Sequence, residues 1–380
     1  MNKRAPYKVL LIGGTGTLSY AVLQMALGKG HNVTIFNRGK AHADLPKRVK
    51  AFKGDFYNVT SLEQVANENF DIVVDFLSRK PSDIDRVYPI FRNSCRQYIF
   101  ISTACVYRRG EKDFPIKESS AKPNKDWSYN TEKFECEMRL QALAKNSSSC
   151  FTIIRPYITY NERRIPFGVT PNYEYHRTII ERLKSGKPWF VWSKTGMKNY
   201  PISTATFTTD FAAGVVGLFM NEKARNEDFH ITSEYRYTQK EILSLLCKKL
   251  EVPMNVIEFT TEELSSLLPL HKNMLIGDRA LDAVFDNSKI RNAVPELEFN
   301  TSLDEGLDKI IAYWGKLNTY QYDYKFEALL DKAIETKGVK LSFVAYPNST
   351  MKDRITYLCY KYLPCLLYTS PSPRDGLLSR

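Results

Sequence analysis

A chain of 380 residues with 43% hydrophobic and 25% charged content has the balance of an ordinary globular protein, with length for one large domain or two. Its net charge of +12 is spread without a long lysine or arginine run, which favours a handler of anionic small molecules over a nucleic-acid surface. Seven cysteines without C-x-x-C spacing and five histidines without an H-E-x-x-H pattern argue against a metal site or a disulfide framework, and fit reduced thiols in the cytoplasm.

The N-terminal MNKRAPYKVLLIGG reaches a strand too soon for a signal peptide, and no stretch approaches the roughly 18 apolar residues of a membrane-spanning helix. Val9–Ile12 forms a buried-strand run, followed at once by GGTGTLS and by AVLQMALGKG, whose Ala21, Val22, Met25 and Ala26 recur at helical spacing. A second strand follows at Asn32–Phe36, then a third at Val49–Phe52. Ile72–Phe76, Tyr98–Ile101 and Phe151–Ile154 continue the series. Strand–helix–strand units in series predict a doubly wound parallel α/β sheet of the Rossmann type.

Gly13 permits a tight turn after the first strand, and Gly16 lets backbone approach a pyrophosphate that the helix N-terminus then stabilises. Ser19 stands where a third glycine is usual. The second strand ends in Asn37-Arg38-Gly39, with no acid until Asp44. A carboxylate there would take the ribose hydroxyls of NAD, whereas Arg38 suits the 2′-phosphate of NADP, so NADP is favoured. Asp55, after the third strand, is placed to take the adenine amino group.

WSYNTEKFECEM, residues 127–138, puts Tyr129 and Lys133 one helical turn apart and on one face. With 23 tyrosines in the chain, about two Tyr-x3-Lys pairs arise by chance, so context decides. Upstream lies IFISTACVY, a strand ending in Ser102-Thr103 at the edge where open α/β sheets bind ligands. Hydride transfer at a carbinol carbon needs a base, a cation to lower that base's pKa, and a second hydroxyl to orient the substrate. Tyr129, Lys133 and Thr103 supply these. The second pair, Tyr357 and Lys361, has no glycine loop or hydroxyl-bearing strand before it. It lies beyond the apparent end of the folded domain and serves as a control.

The glycine loop GGTGTLS, the strand end ISTACVY and the helix YNTEK, in this order, resemble the extended short-chain dehydrogenase/reductases. These form the NAD(P)-dependent epimerase/dehydratase family that includes UDP-galactose epimerase. The resemblance covers roughly residues 7–315, carried further by FTIIRPYITY, by FTTDFAAGVVGL with Asp210, and by FDNSKIRNAVPEL. It implies cofactor contacts at Gly13, Thr15, Gly16, Thr17, Leu18, Arg38, Asp55, Phe76, Leu77, Tyr129 and Lys133, and chemistry at Thr103, Tyr129 and Lys133. Where many nucleotide-sugar members read R-P-x-N-x-Y-G, this chain has Ile158 for the asparagine and Asn161 for the glycine. Ala104 and Cys105 after Thr103 lack the acid of a dehydratase. The expected activity is epimerase or reductase chemistry on a sugar, nucleotide-linked by family.

The expected organisation is a dinucleotide-binding domain over 7–160, rejoined by part of 200–235, and a smaller substrate-binding region over 161–325. A C-terminal extension over 326–380 follows, ending in the unstructured TSPSPRDGLLSR. Tyr157, Arg163, Arg164 and Arg177 are candidate substrate contacts, the arginines because their fork suits phosphate oxygens. A homodimer is compatible with the pattern. The competing reading is a dinucleotide-binding scaffold without turnover that binds RNA or a protein partner.

Overall fold

The computed structural model describes residues 5–39, 45–110 and 114–363; Asp44, Cys365 and the TSPSPRDGLLSR end lie outside them. The chain divides into two compact units. The first comprises Met1–Thr159, Thr206–Glu234 and Val284–Asn300, and the second Tyr160–Ala205, Tyr235–Ala283 and Thr301–Arg380. The stretch Val284–Asn300, assigned from sequence to the substrate region, groups with the first unit. Residues after 326, expected as a separate extension, group with the second.

The first unit is built on seven parallel strands: β1 (Lys8–Ile12), β2 (Asn32–Asn37), β3 (Lys50–Lys53), β4 (Ile72–Asp75), β5 (Gln97–Ile101), β6 (Cys150–Pro156) and β7 (Glu227–Ile231). Their spatial order is β3-β2-β1-β4-β5-β6-β7, which reverses direction between β1 and β4. The central strands are buried along their whole length because both sheet faces are covered. Alternate side chains of β1 enter opposite cores. Val9 and Leu11 pack beside Val22, Leu23 and Ala26 of α1 (Thr17–Gly28), and Leu10 and Ile12 beside Ile84, Val87 and Tyr88 of α3 (Pro81–Phe91). The helix α2 (Val59–Ala66) and α4 (Ser128–Ala144) join the second of these cores, and α5 (Thr208–Gly217) the first. The edge strand β3 carries Lys50 and Lys53, charges that discourage pairing with another chain.

The second unit contains a parallel strand pair, Trp189–Trp192 with Val256–Phe259, and an antiparallel one, Ile202–Thr204 with Arg236–Thr238. Its helices include Arg177–Lys184, Gln239–Lys249, Leu303–Lys316, Tyr324–Glu335 and Met351–Tyr362. The last two correct the sequence expectation. Tyr357 and Lys361 are not outside the fold but buried in it, beside Tyr322, Tyr324 and Tyr346. Tyrosines supply that core, and their hydroxyls blur the apolar period by which a helix is recognised. Tyr357 donates its hydroxyl to Asp331, which with Glu327 neutralises the buried Arg182 and Lys187.

Candidate active site

The strand order reverses between β1 and β4, and the loops after these two strands carry the glycines and Phe76-Leu77. Gly13 and Gly14 adopt φ of +120° and +94°, left-handed values that favour glycine. A Cβ on Gly14 would stand 2.5 Å from Ile35 Cγ2, so this glycine, not Ser19, provides the close approach to β2. Gly16 caps α1 and is exposed, and a Cβ there would meet only the Ser19 hydroxyl within 4 Å. Ser19 is buried, and its hydroxyl oxygen accepts the Gly16 N–H at 3.0 Å. The replacement of glycine by serine thus ties down the loop. Thr15, Thr17 and Leu18 are partly exposed around it. An open backbone concavity at a helix N-terminus fits a dinucleotide pyrophosphate.

Around this loop, Phe76 and Leu77 approach Gly13, at 3.4 and 3.6 Å from where its Cβ would be. Their turn is organised by Asp75, a role the sequence did not suggest. Its buried carboxylate accepts the Leu77 and Ser78 N–H groups at 2.8 and 3.0 Å, and the Tyr98 hydroxyl at 2.7 Å. Arg38 is exposed after β2 and forms no ion pair among the described residues. Asp55 is exposed after β3, its carboxylate accepting the Tyr57 N–H at 3.0 Å.

Lys133 is 5% exposed, and its ammonium donates to the carbonyls of Ser78 and Ile101, both at 2.8 Å. It therefore sits against the carboxyl ends of β4 and β5, over the Phe100 ring at 4.5 Å. Burial pulls its pKa down to about 8, against the opposing pull of Cys136, Asp75 and Glu137. Tyr129, one turn earlier on α4, is partly exposed with its ring 4.8 Å from that of Trp127. Thr103, two residues after Ile101, accepts the Cys105 N–H at 3.2 Å and begins a short 3₁₀ turn.

Tyr157 is buried beneath Arg109, whose guanidinium lies 4.7 Å from the ring centre and donates to the Tyr157 hydroxyl and the Ala104 carbonyl. Ile158 has φ +31°, an outlier for a β-branched residue and one that asparagine would adopt readily. The chain keeps a backbone suited to asparagine while carrying isoleucine. In the second unit, Arg163 is exposed over the Tyr313 ring. Arg177 is committed internally, to Glu181 at 2.6 Å, the Trp314 carbonyl at 2.8 Å and the Tyr320 ring. Arg164 makes no side-chain hydrogen bond or ion pair among the described residues. Burial and the neighbouring Arg279 lower its pKa to about 10.

Residues 13–183 match the family model described as NAD(P)H-binding. A stretch of 256 residues is 28% identical to the chloroplast stem-loop binding protein of 41 kDa b from Arabidopsis thaliana, spanning 64% of this chain and 62% of that protein. Among solved structures, an epimerase from Methanothermobacter thermautotrophicus superposes with TM-score 0.67 at 14% identity, over 83% of this chain and 94% of its own. The NAD complex of Thermus thermophilus UDP-glucose 4-epimerase gives TM-score 0.62 at 16% identity, over 81% and 99%. Bacillus cereus UDP-glucuronic acid 4-epimerase, with its sugar nucleotide and NAD, gives 0.62 at 18%, over 81% and 99%. The fold is thus the Rossmann α/β fold of these epimerases. The matched NAD(P)H-binding segment agrees with the resemblance to the extended short-chain dehydrogenase/reductases.

Proposed function

We propose that this chain is an NAD(P)-dependent epimerase or reductase acting on a hydroxyl or keto carbon of a nucleotide sugar. The observation that carries this reading is the Lys133 ammonium, buried against the ends of β4 and β5 two residues before Thr103. A cation held there favours the phenolate of Tyr129 one turn away, which takes the carbinol proton. The Thr103 hydroxyl orients the substrate oxygen. A bound nicotinamide supplies the hydride acceptor. Gly13, Gly16 and the start of α1 hold its pyrophosphate, and Arg38 selects NADP. The UDP-glucuronic acid held by the Bacillus cereus neighbour supports a nucleotide-linked substrate over a free sugar.

The test is direct. The purified protein is denatured and the released dinucleotide identified, then UDP-glucose and UDP-galactose are supplied with NAD or NADPH. Interconversion with tightly held oxidised cofactor marks an epimerase, and net oxidation of NADPH a reductase. Absence of both reactions with every nucleotide sugar removes the reading.

A second reading, an RNA-binding scaffold, is favoured by the likeness to the Arabidopsis stem-loop binding protein, and the net charge of +12 permits it. Stem-loop RNA affinity that falls steeply with salt, without sugar turnover, would select it.

A further inference from the structure

On α4, Tyr129, Lys133 and Glu137 follow at steps of four and share one face. Glu137 is 1% exposed, and both of its oxygens are engaged. Oε1 accepts from the Ser102 hydroxyl at 2.5 Å and from Arg155 Nε at 2.9 Å, while Oε2 accepts from Arg155 Nη2 at 2.7 Å. Arg155, equally buried, donates through Nη1 to the Tyr107 hydroxyl at 2.8 Å and pairs with Asp228 at 2.7 Å. Burial disfavours the charged guanidinium, but Glu137, Tyr107 and Asp228 hold its pKa well above the usual arginine value. One carboxylate and one guanidinium thus grip Ser102 and Tyr107, the residues that bracket Thr103, while Ile101 just before them receives the Lys133 ammonium.

A buried ion pair is weak grounds for stability, since apolar side chains of similar volume often serve as well. Its consequence here is geometric. We propose that Glu137 and Arg155 form a positioning clamp that fixes the Thr103 segment against the Tyr129–Lys133 face of α4. This rests on the oxidoreductase reading above. Neither residue touches the substrate; both act through the segment they hold.

The clamp also carries charge toward Lys133. The groups that bear on that ammonium are Cys136 and Glu137 from its own helix, and Asp75 and Arg79 from the end of β4 and the turn after it. Asp75 and Glu137 keep its proton on, whereas burial and Arg79 drive it off. Neutralising Glu137 therefore moves the Lys133 titration below its present value of about 8. A merely structural Glu137 paired away by Arg155 would leave that titration in place.

The experiment compares wild type with Glu137→Gln and with the double variant Glu137→Met/Arg155→Met. Asp228 keeps Lys289 as a partner at 3.0 Å in the double variant. Readouts are kcat and KM with UDP-glucose as probe, melting temperature, and the Lys133 titration by NMR of ¹³C-labelled lysine, assigned with Lys133→Met. For Glu137→Gln, kcat falls about 10²-fold, as misplacement by an ångström commonly costs, with unchanged KM for dinucleotide and the Lys133 titration shifted down in pH. The double variant regains the melting temperature but not kcat. Recovery of wild-type kcat in the double variant, or an unmoved Lys133 titration in Glu137→Gln, overturns the clamp. Equal rates for wild type and Tyr129→Phe overturn the oxidoreductase reading instead, and the Lys133 titration then decides the clamp alone.

Discussion

The Lys133 ammonium reaches the Ile101 carbonyl at 2.8 Å, which couples the middle of α4 to the end of the strand that leads into Thr103. A cation so placed is needed protonated. Because burial lowers its pKa to about 8, the ammonium form is full below that pH and lost above it. Turnover should therefore decline above about pH 8, and Lys133→Met should remove that alkaline limb together with most of the rate. A pH–rate profile checks this.

The chain holds two Tyr-x3-Lys pairs with opposite environments, and they should respond oppositely. Tyr129→Phe should reduce kcat by ~10² to 10⁴ with melting temperature and dinucleotide affinity retained. Tyr357→Phe removes a hydroxyl donated to the buried Asp331 and should cost about 1–2 kcal/mol of stability without changing kcat. Urea unfolding and steady-state assays on both variants separate the roles.

Glycine positions give a second contrast. Gly14→Ala adds a Cβ 2.5 Å from Ile35 at a φ of +94° and should destabilise by roughly 2–4 kcal/mol. Gly28→Ala, at the end of α1 with nothing within 4 Å, should be neutral or stabilising by up to about 1 kcal/mol. Equilibrium denaturation of the two variants decides.

Arg38→Asp should reverse the cofactor preference from NADP toward NAD, since a carboxylate repels the 2′-phosphate and accepts from the free ribose hydroxyls. The ratio of NADPH to NADH dissociation constants, by nicotinamide fluorescence, measures it. An unchanged ratio retires Arg38 from that role.

What could be seen in the sequence was local. The glycine turn, the apolar strands and the i, i+4 relation of Tyr129 to Lys133 are each written within a few residues, and the sheet follows from repeating that unit. Asp75 was missed because Ile72–Phe76 reads as one strand, whereas the strand ends at Asp75, whose carboxylate organises the turn that follows and reaches the distant Tyr98. Glu137 was visible four residues past Lys133, but its binding of Ser102 and Arg155 arises only when α4, β5 and β6 are brought together. For Arg177, the i, i+4 partner Glu181 was there to be seen, whereas the Trp314 carbonyl was not. The C-terminal helices were obscured because several side chains of their core, Tyr322, Tyr324, Tyr346 and Tyr357, also carry a hydroxyl.

The first unit draws on three separated stretches of chain, and this has a bearing on biosynthesis. A nascent chain released only as far as Thr159 has β6 with no neighbour on its outer side, because β7 is still to come. One face of its sheet also lacks Phe211 and Val215 of α5, and then Ile290 and Leu297. Translation must run through both of the second unit's first two stretches before that surface is covered. The growing polypeptide therefore carries a naked sheet border and a half-dressed apolar face during much of its synthesis, the condition in which nascent proteins most depend on chaperones.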